Sequence, residues 1–71
     1  MIDNIGNFIG QKVRIIVYKN NEVQTDMITR KLDKVTCNFF SRFKYIGHHI
    51  TPVTQLIVIE LIATDDTKEV I

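Results

Sequence analysis

Apolar and polar residues alternate over much of this chain, and a period of two predicts strands rather than helices. Val13, Ile15 and Val17 fall on one side of the period and Arg14, Ile16 and Tyr18 on the other, so residues 12–19 read as a first strand. Asn20-Asn21 follows, and asparagine tolerates positive φ, which predicts a turn. The chain returns over 22–32 through Val23, Thr25, Met27 or Ile28, Arg30 and Leu32. The phase slips along that second strand, which predicts a bulge near Asp26–Ile28. Val35, Cys37 and Phe39 share one side of a third strand over 34–40, and Ser41-Arg42 makes a tight turn. Phe43, Tyr45 and Ile46 mark a fourth strand over 43–50, bent at Gly47. Residues 52–55 read as a turn and 56–62 as the last strand. Ahead of all these, Asp3 can cap a helical turn over 3–10 in which Ile5, Phe8 and Ile9 have helical spacing and Gly10 ends the turn.

Five short strands with brief connections predict an all-β fold, a small five-stranded Sm/SH3-like barrel with a short N-terminal helical turn plugging one end. A length of 71 residues allows one domain, expected over 1–63, with 64–71 as a charged tail expected to fray. The last strand does not alternate. Leu56, Ile57, Val58 and Ile59 leave neither face polar, whereas a strand on a lone small barrel should show one wet face. The expectation is a second chain covering it, with Leu56, Val58, Glu60 and Ile62 in contact and edge-to-edge strand pairing as one route. The alternative is that Ile5, Phe8 and Ile9 of the N-terminal turn cover the second face within one chain.

Charge changes this picture locally rather than globally. The net charge is +1, with no general pull toward nucleic acid or membrane. Yet Arg30, Lys31, Lys34, Arg42 and Lys44 stand against Asp33 alone, while Glu60, Asp65, Asp66 and Glu69 stand against Lys68. Along Phe40-Ser41-Arg42-Phe43-Lys44-Tyr45, aromatics interleave with cations, and bases stacked on rings with phosphates on cations is how single strands are held. A nucleic-acid path would run over Arg30, Lys31, Lys34, Arg42, Lys44, Tyr45 and His48. The bland reading is a strand with a core face and a solvated face.

Other chemistry is sparse. Adjacent His48 and His49 would point to opposite faces of a strand and lack metal-ligand spacing, so no metal site is expected. Asp26, Asp33 and Glu60 form no recognisable dyad, Asp33 suits a turn or cap, and there is no glycine-rich phosphate loop. No catalytic residue and no cofactor is expected. Cys37 is the lone cysteine, which suits a reducing cytosol. No leader pattern or membrane-length apolar run appears, so the expected location is cytoplasmic.

Two resemblances follow from these residues. Phe8-Ile9-Gly10-Gln11-Lys12-Val13-Arg14-Ile15, Leu32-Asp33 with Asn38, and Ile46-Gly47-His48-His49-Ile50 resemble the opening and the motifs of Sm and LSm domains. That resemblance implies an RNA contact near Asn38 and His48. Pro52-Val53-Thr54-Gln55-Leu56-Ile57-Val58-Ile59-Glu60-Leu61, with the opening strand Val13–Tyr18, is similar to YolD-like domains. These are small bacterial and prophage proteins often encoded near Y-family DNA polymerases, and the likeness implies an Sm-like barrel, a link to DNA damage and no assigned active site. The function expected is therefore a non-catalytic, YolD-like regulatory module acting through protein–protein contacts and self-association, with a host or phage protein as partner. A small viral antagonist of a host protein is a variant of it. The alternative is an Sm-like protein binding RNA or single-stranded DNA.

Overall fold

The computed structural model describes residues 5–63. A 3₁₀ turn (Ile5–Phe8) is followed by β1 (Val13–Lys19), β2 (Glu22–Thr29), the helix α1 (Lys34–Phe40), β3 (Lys44–Ile50) and β4 (Ile57–Ile62). The strands form one four-stranded sheet in the order β2-β1-β4-β3. β1 pairs antiparallel with β2 and parallel with β4, and β3 pairs antiparallel with β4. The fold is a small, mostly β domain, but the sheet is four-stranded and open, with edges at β2 and β3, rather than a closed five-stranded barrel.

The β1–β2 hairpin forms at the expected place. Asn20 and Asn21 have φ of 55° and 67°, the left-handed pair of a turn whose twist suits a hairpin. The bulge lies elsewhere than the phase slip indicates. Val17 pairs with Thr25 and Tyr18 with Val23, which leaves Gln24 as the extra residue. From Thr25 to Thr29 the register is regular. A second irregularity falls between Tyr45 and Gly47, where the bend in β3 is expected.

Residues 34–40 are a helix, not a strand. Asp33 is extended and its carboxylate accepts from the Thr36 N–H at 2.8 Å, which satisfies an N–H that the first turn leaves unpaired. Buried Leu32, Cys37 and Phe40 then face the sheet, while Val35 and Phe39, four residues apart, point outward. The loops before and after the β1–β2 hairpin are tied together, since Gly10 N–H donates to Leu32 C=O at 2.8 Å and Leu32 N–H to Gln11 C=O at 2.9 Å. Gly10 has a φ of 92°, which allows this close turn without a Cβ penalty.

The core lies on one face of the sheet. Val13, Ile15 and Val17 of β1 and Ile59 and Leu61 of β4, with Ala63 after it, pack with Ile5, Leu32, Cys37 and Phe40. Phe8, Met27, Phe43, Tyr45 and Ile57 close its margins. The 3₁₀ turn thus joins the core face beside α1 instead of plugging a barrel end. This also corrects the reading of β4. It is a central strand with both edges paired, so edge-to-edge addition through it is not available.

Candidate functional site

Two surfaces stand out: the open face of the sheet and a cation–aromatic cluster at the end of α1. The register builds the first as three rows across the four strands. Ile28, Arg14, Val58 and His49 form one row. Asp26, Ile16, Glu60 and Gly47 form the next, and Val23, Tyr18, Ile62 and Lys44 the third. Apolar and charged positions therefore alternate in a checkerboard. Arg14 donates to both carboxylate oxygens of Asp26 at 2.8 and 2.6 Å across adjacent rows, and the Tyr18 hydroxyl donates to Glu60 Oε2 at 3.2 Å. The Asp26 carboxyl is held below its usual range by the Arg14 hydrogen bond, which outweighs desolvation. Desolvation raises the Tyr18 hydroxyl above its ordinary value, and the bond to Glu60 adds to that.

The apolar squares of this face are uneven. Val58 is buried at 3% exposure yet lies outside the core cluster, between Arg14 and His49 in its row. Val23 and Ile28 remain 55% exposed and Ile62 38%. Of the four expected partner contacts, Val58, Glu60 and Ile62 share this face. Leu56 does not belong to β4; it precedes the strand, half-buried, with its C=O accepting from Thr51 N–H at 3.0 Å. No helix or turn among the described residues lies over the open face, because Ile5, Phe8 and α1 all pack on the opposite one.

The second surface gathers where α1 turns into β3. Arg42 carries its guanidinium 5.2 Å from the Phe39 ring centre and 5.1 Å from that of Phe43. Phe40 lies edge-on to Phe39 at 4.9 Å and tilted to Phe43 at 5.9 Å, so a buried ring anchors two outer ones. Exposed Lys44 is the next cation along the chain. Along β3 the Tyr45 hydroxyl is hydrogen-bonded to His48 Nδ1, and the His48 ring meets Phe8 edge-on at 4.9 Å. His48 and His49 point to opposite faces, across from Ile59 and Val58 respectively.

The expected nucleic-acid path is thus divided. Arg42, Lys44, Tyr45 and His48 lie on the β3 side. Arg30, Lys31 and Lys34 are exposed on the β2–α1 connection and the first residue of α1, at the other end of a helix about 10 Å long. The alternation placing Arg42 and Lys44 on one strand face fails, because Arg42 and Phe43 precede β3. Asn38 is exposed on α1 and its C=O accepts from the Ser41 hydroxyl at 2.8 Å, a helix-end role rather than a strand motif. A strand pattern sets Phe39 on one side with Val35 and Cys37, which hides its contribution; the helix turns it outward, away from buried Cys37.

Comparison with protein-family models, with curated proteins and with solved structures gives no match. No helix among the described residues is long and apolar enough to cross a membrane.

Proposed function

We propose that this chain is a non-catalytic binding module that self-associates through the open face of its sheet. The observation supporting this is the set of Val23, Ile28 and Ile62, exposed around Ile16 and Val58 on a face that no described element covers. Exposed apolar groups grouped on one flat face mark an interaction surface, whereas scattered ones do not. The same face carries Arg14, Lys44 and His49 with Asp26 and Glu60, so two copies can meet without one sign of charge opposing itself. A second copy stacked on it would give a two-layered sheet packing of the ordinary ~10 Å spacing. A regulatory role exerted on a host or phage protein, in a bacterial or prophage setting linked to DNA damage, is the functional setting that the YolD-like resemblance offers for such a module. Sedimentation equilibrium over rising concentration tests the assembly: a dimer or larger species is expected, and a monomer throughout overturns the proposal.

A second reading has its own observation. Arg42 beside two phenylalanine rings, with Lys44 next to it, combines flat stacking surfaces with cations, as single-stranded nucleic acid requires. Fluorescence anisotropy with labelled RNA and single-stranded DNA should then show binding that weakens steeply with salt; no binding at low salt removes this reading.

A further inference from the structure

The outward side of α1 carries apolar groups that the core does not use. At about 100° per residue, Lys34, Val35, Asn38 and Phe39 occupy one continuous arc of the helix, opposite buried Cys37 and Phe40. Val35 is 76% exposed and Phe39 57%, and at a spacing of four they form a ridge along the helix. A cation stands at each end of this ridge. Lys34 opens the helix and is exposed, and the Arg42 guanidinium lies over the Phe39 ring, 5.2 Å from its centre. Buried Phe40 backs Phe39 edge-on at 4.9 Å, so the outer ring has a fixed support. Asp33 is the one carboxylate between Arg30 and Lys44, and it is engaged by the Thr36 N–H at 2.8 Å. The ridge therefore presents two apolar knobs between two positive charges.

We infer that this ridge docks an acidic amphipathic helix of a partner protein, one with two apolar residues a turn apart and carboxylates flanking them. Charge complementarity selects that occupant. A ridge of residues spaced by four fits the groove between such rows on a second helix. Carboxylates beside that groove then meet Lys34 at one end and Arg42 at the other. A second copy of this chain seated ridge to ridge is disfavoured, because a two-fold contact opposes cation to cation. A nucleic-acid strand is served less well than a protein. Val35 offers no ring for a base, and one face of Phe39 is already taken by Arg42. Phenylalanine and arginine are, by contrast, side chains enriched at protein interfaces. Docking here rests on the proposed role as a module acting on a protein partner, and it gives that partner's chemistry. It is separate from self-association, because α1 and the open face lie on opposite sides of the sheet.

Titration of the full, isotope-labelled chain with a synthetic peptide tests this. The probe is a helical peptide of about 15 residues with leucines at i and i+4 flanked by glutamates. A scrambled peptide of the same composition and a single-stranded DNA of the same charge are run beside it. At low salt the helical peptide should shift amide signals at residues 34–42 saturably, and bind about tenfold more tightly than the scrambled one. Val35→Asp should weaken it by about tenfold or more, whereas Ile28→Asp on the open face should leave it unchanged. Lys34→Glu with Arg42→Glu should abolish binding of the acidic peptide and create binding of its lysine counterpart, with a far-ultraviolet circular dichroism spectrum matching the parent. No saturable shift up to about 1 mM peptide overturns the inference. So does equal binding by the scrambled peptide, which reduces the ridge to a patch of charge, and so does tighter binding of the DNA at the same signals, which assigns α1 to nucleic acid. A monomer in sedimentation overturns the open-face assembly and not this contact; silent amides at 34–42 overturn this contact and not the assembly.

Discussion

At the residue scale, Asp33 decides the local structure of the chain's centre. Its carboxyl is held below the ordinary 3.8, chiefly by the backbone N–H of Thr36, with desolvation opposing. A depressed folded-state pKa means that the ionised cap stabilises the fold above the unfolded value, and that this contribution is lost as pH falls through the folded one. Asp33→Asn keeps a neutral acceptor at the cap and removes the titration. The expected outcome is a lower Tm for Asp33→Asn by a few degrees near neutral pH, with the gap closing as pH falls below 3.8; thermal melts from pH 7 to pH 2 follow it. Asp33 was legible as a turn or cap from its chemistry. The bonds of Asp26 to Arg14 were not, because they depend on which strands pair and in what register. Asn21, like Asp33, was legible from its chemistry, as a turn residue that tolerates positive φ. At a φ of 67° a β-branched side chain is strained, so Asn21→Val should lose about 1–2 kcal/mol in urea unfolding, whereas Asn21→Gly should be neutral or better.

At the element scale, both β1 and the hairpin were readable because one face of β1 is buried without interruption at Val13, Ile15 and Val17. The segment 34–40 was not. Val35, Cys37 and Phe39 alternate as a strand would, and Val, Thr, Cys, Asn and Phe are weak helix formers. The cap and the burial of Leu32, Cys37 and Phe40 override that preference, an outcome that depends on packing against a sheet formed by residues distant in sequence. The two readings predict opposite alanine scans. In the helix, Phe40→Ala removes a buried ring and should cost about 3–5 kcal/mol, while Val35→Ala, at a site 76% exposed, should stay within about 0.5 kcal/mol. Urea denaturation of the two variants is the check; a large loss at Val35 would mean the strand pattern had been right. The apolar last strand has a related explanation. β4 is central, with Ile57, Ile59 and Leu61 toward the core, while Val58 and Ile62 lie on the open face, so its second side is apolar without cover from any described element.

At the scale of the whole molecule, a single sheet carries helical cover on one face only. Such sheets normally present a polar outer face to water, and here the polar squares are interleaved with aliphatic ones. In a two-fold assembly each residue of the interface occurs twice, so one substitution changes the contact at two places. Ile28 is the most useful position, because it is 55% exposed in the edge strand β2 and its loss leaves the core cluster intact. Burial of an isoleucine that starts half-exposed is worth about 1 kcal/mol, and two copies of it about 2. Ile28→Asp also puts a charge where the apolar contact is buried, at a position paired with Arg14 across the strands, and burying that charge adds to the loss. Its dimer dissociation constant should therefore rise by roughly 10²-fold, at 1.4 kcal/mol per factor of ten, with a far-ultraviolet circular dichroism spectrum unchanged from the parent. Val35→Asp, on the exposed ridge of α1 at the other side of the molecule, serves as the control and should leave the constant unaltered. If Val35→Asp dissociates the assembly and Ile28→Asp does not, the contact lies on the helical layer, and the open face has a different occupant.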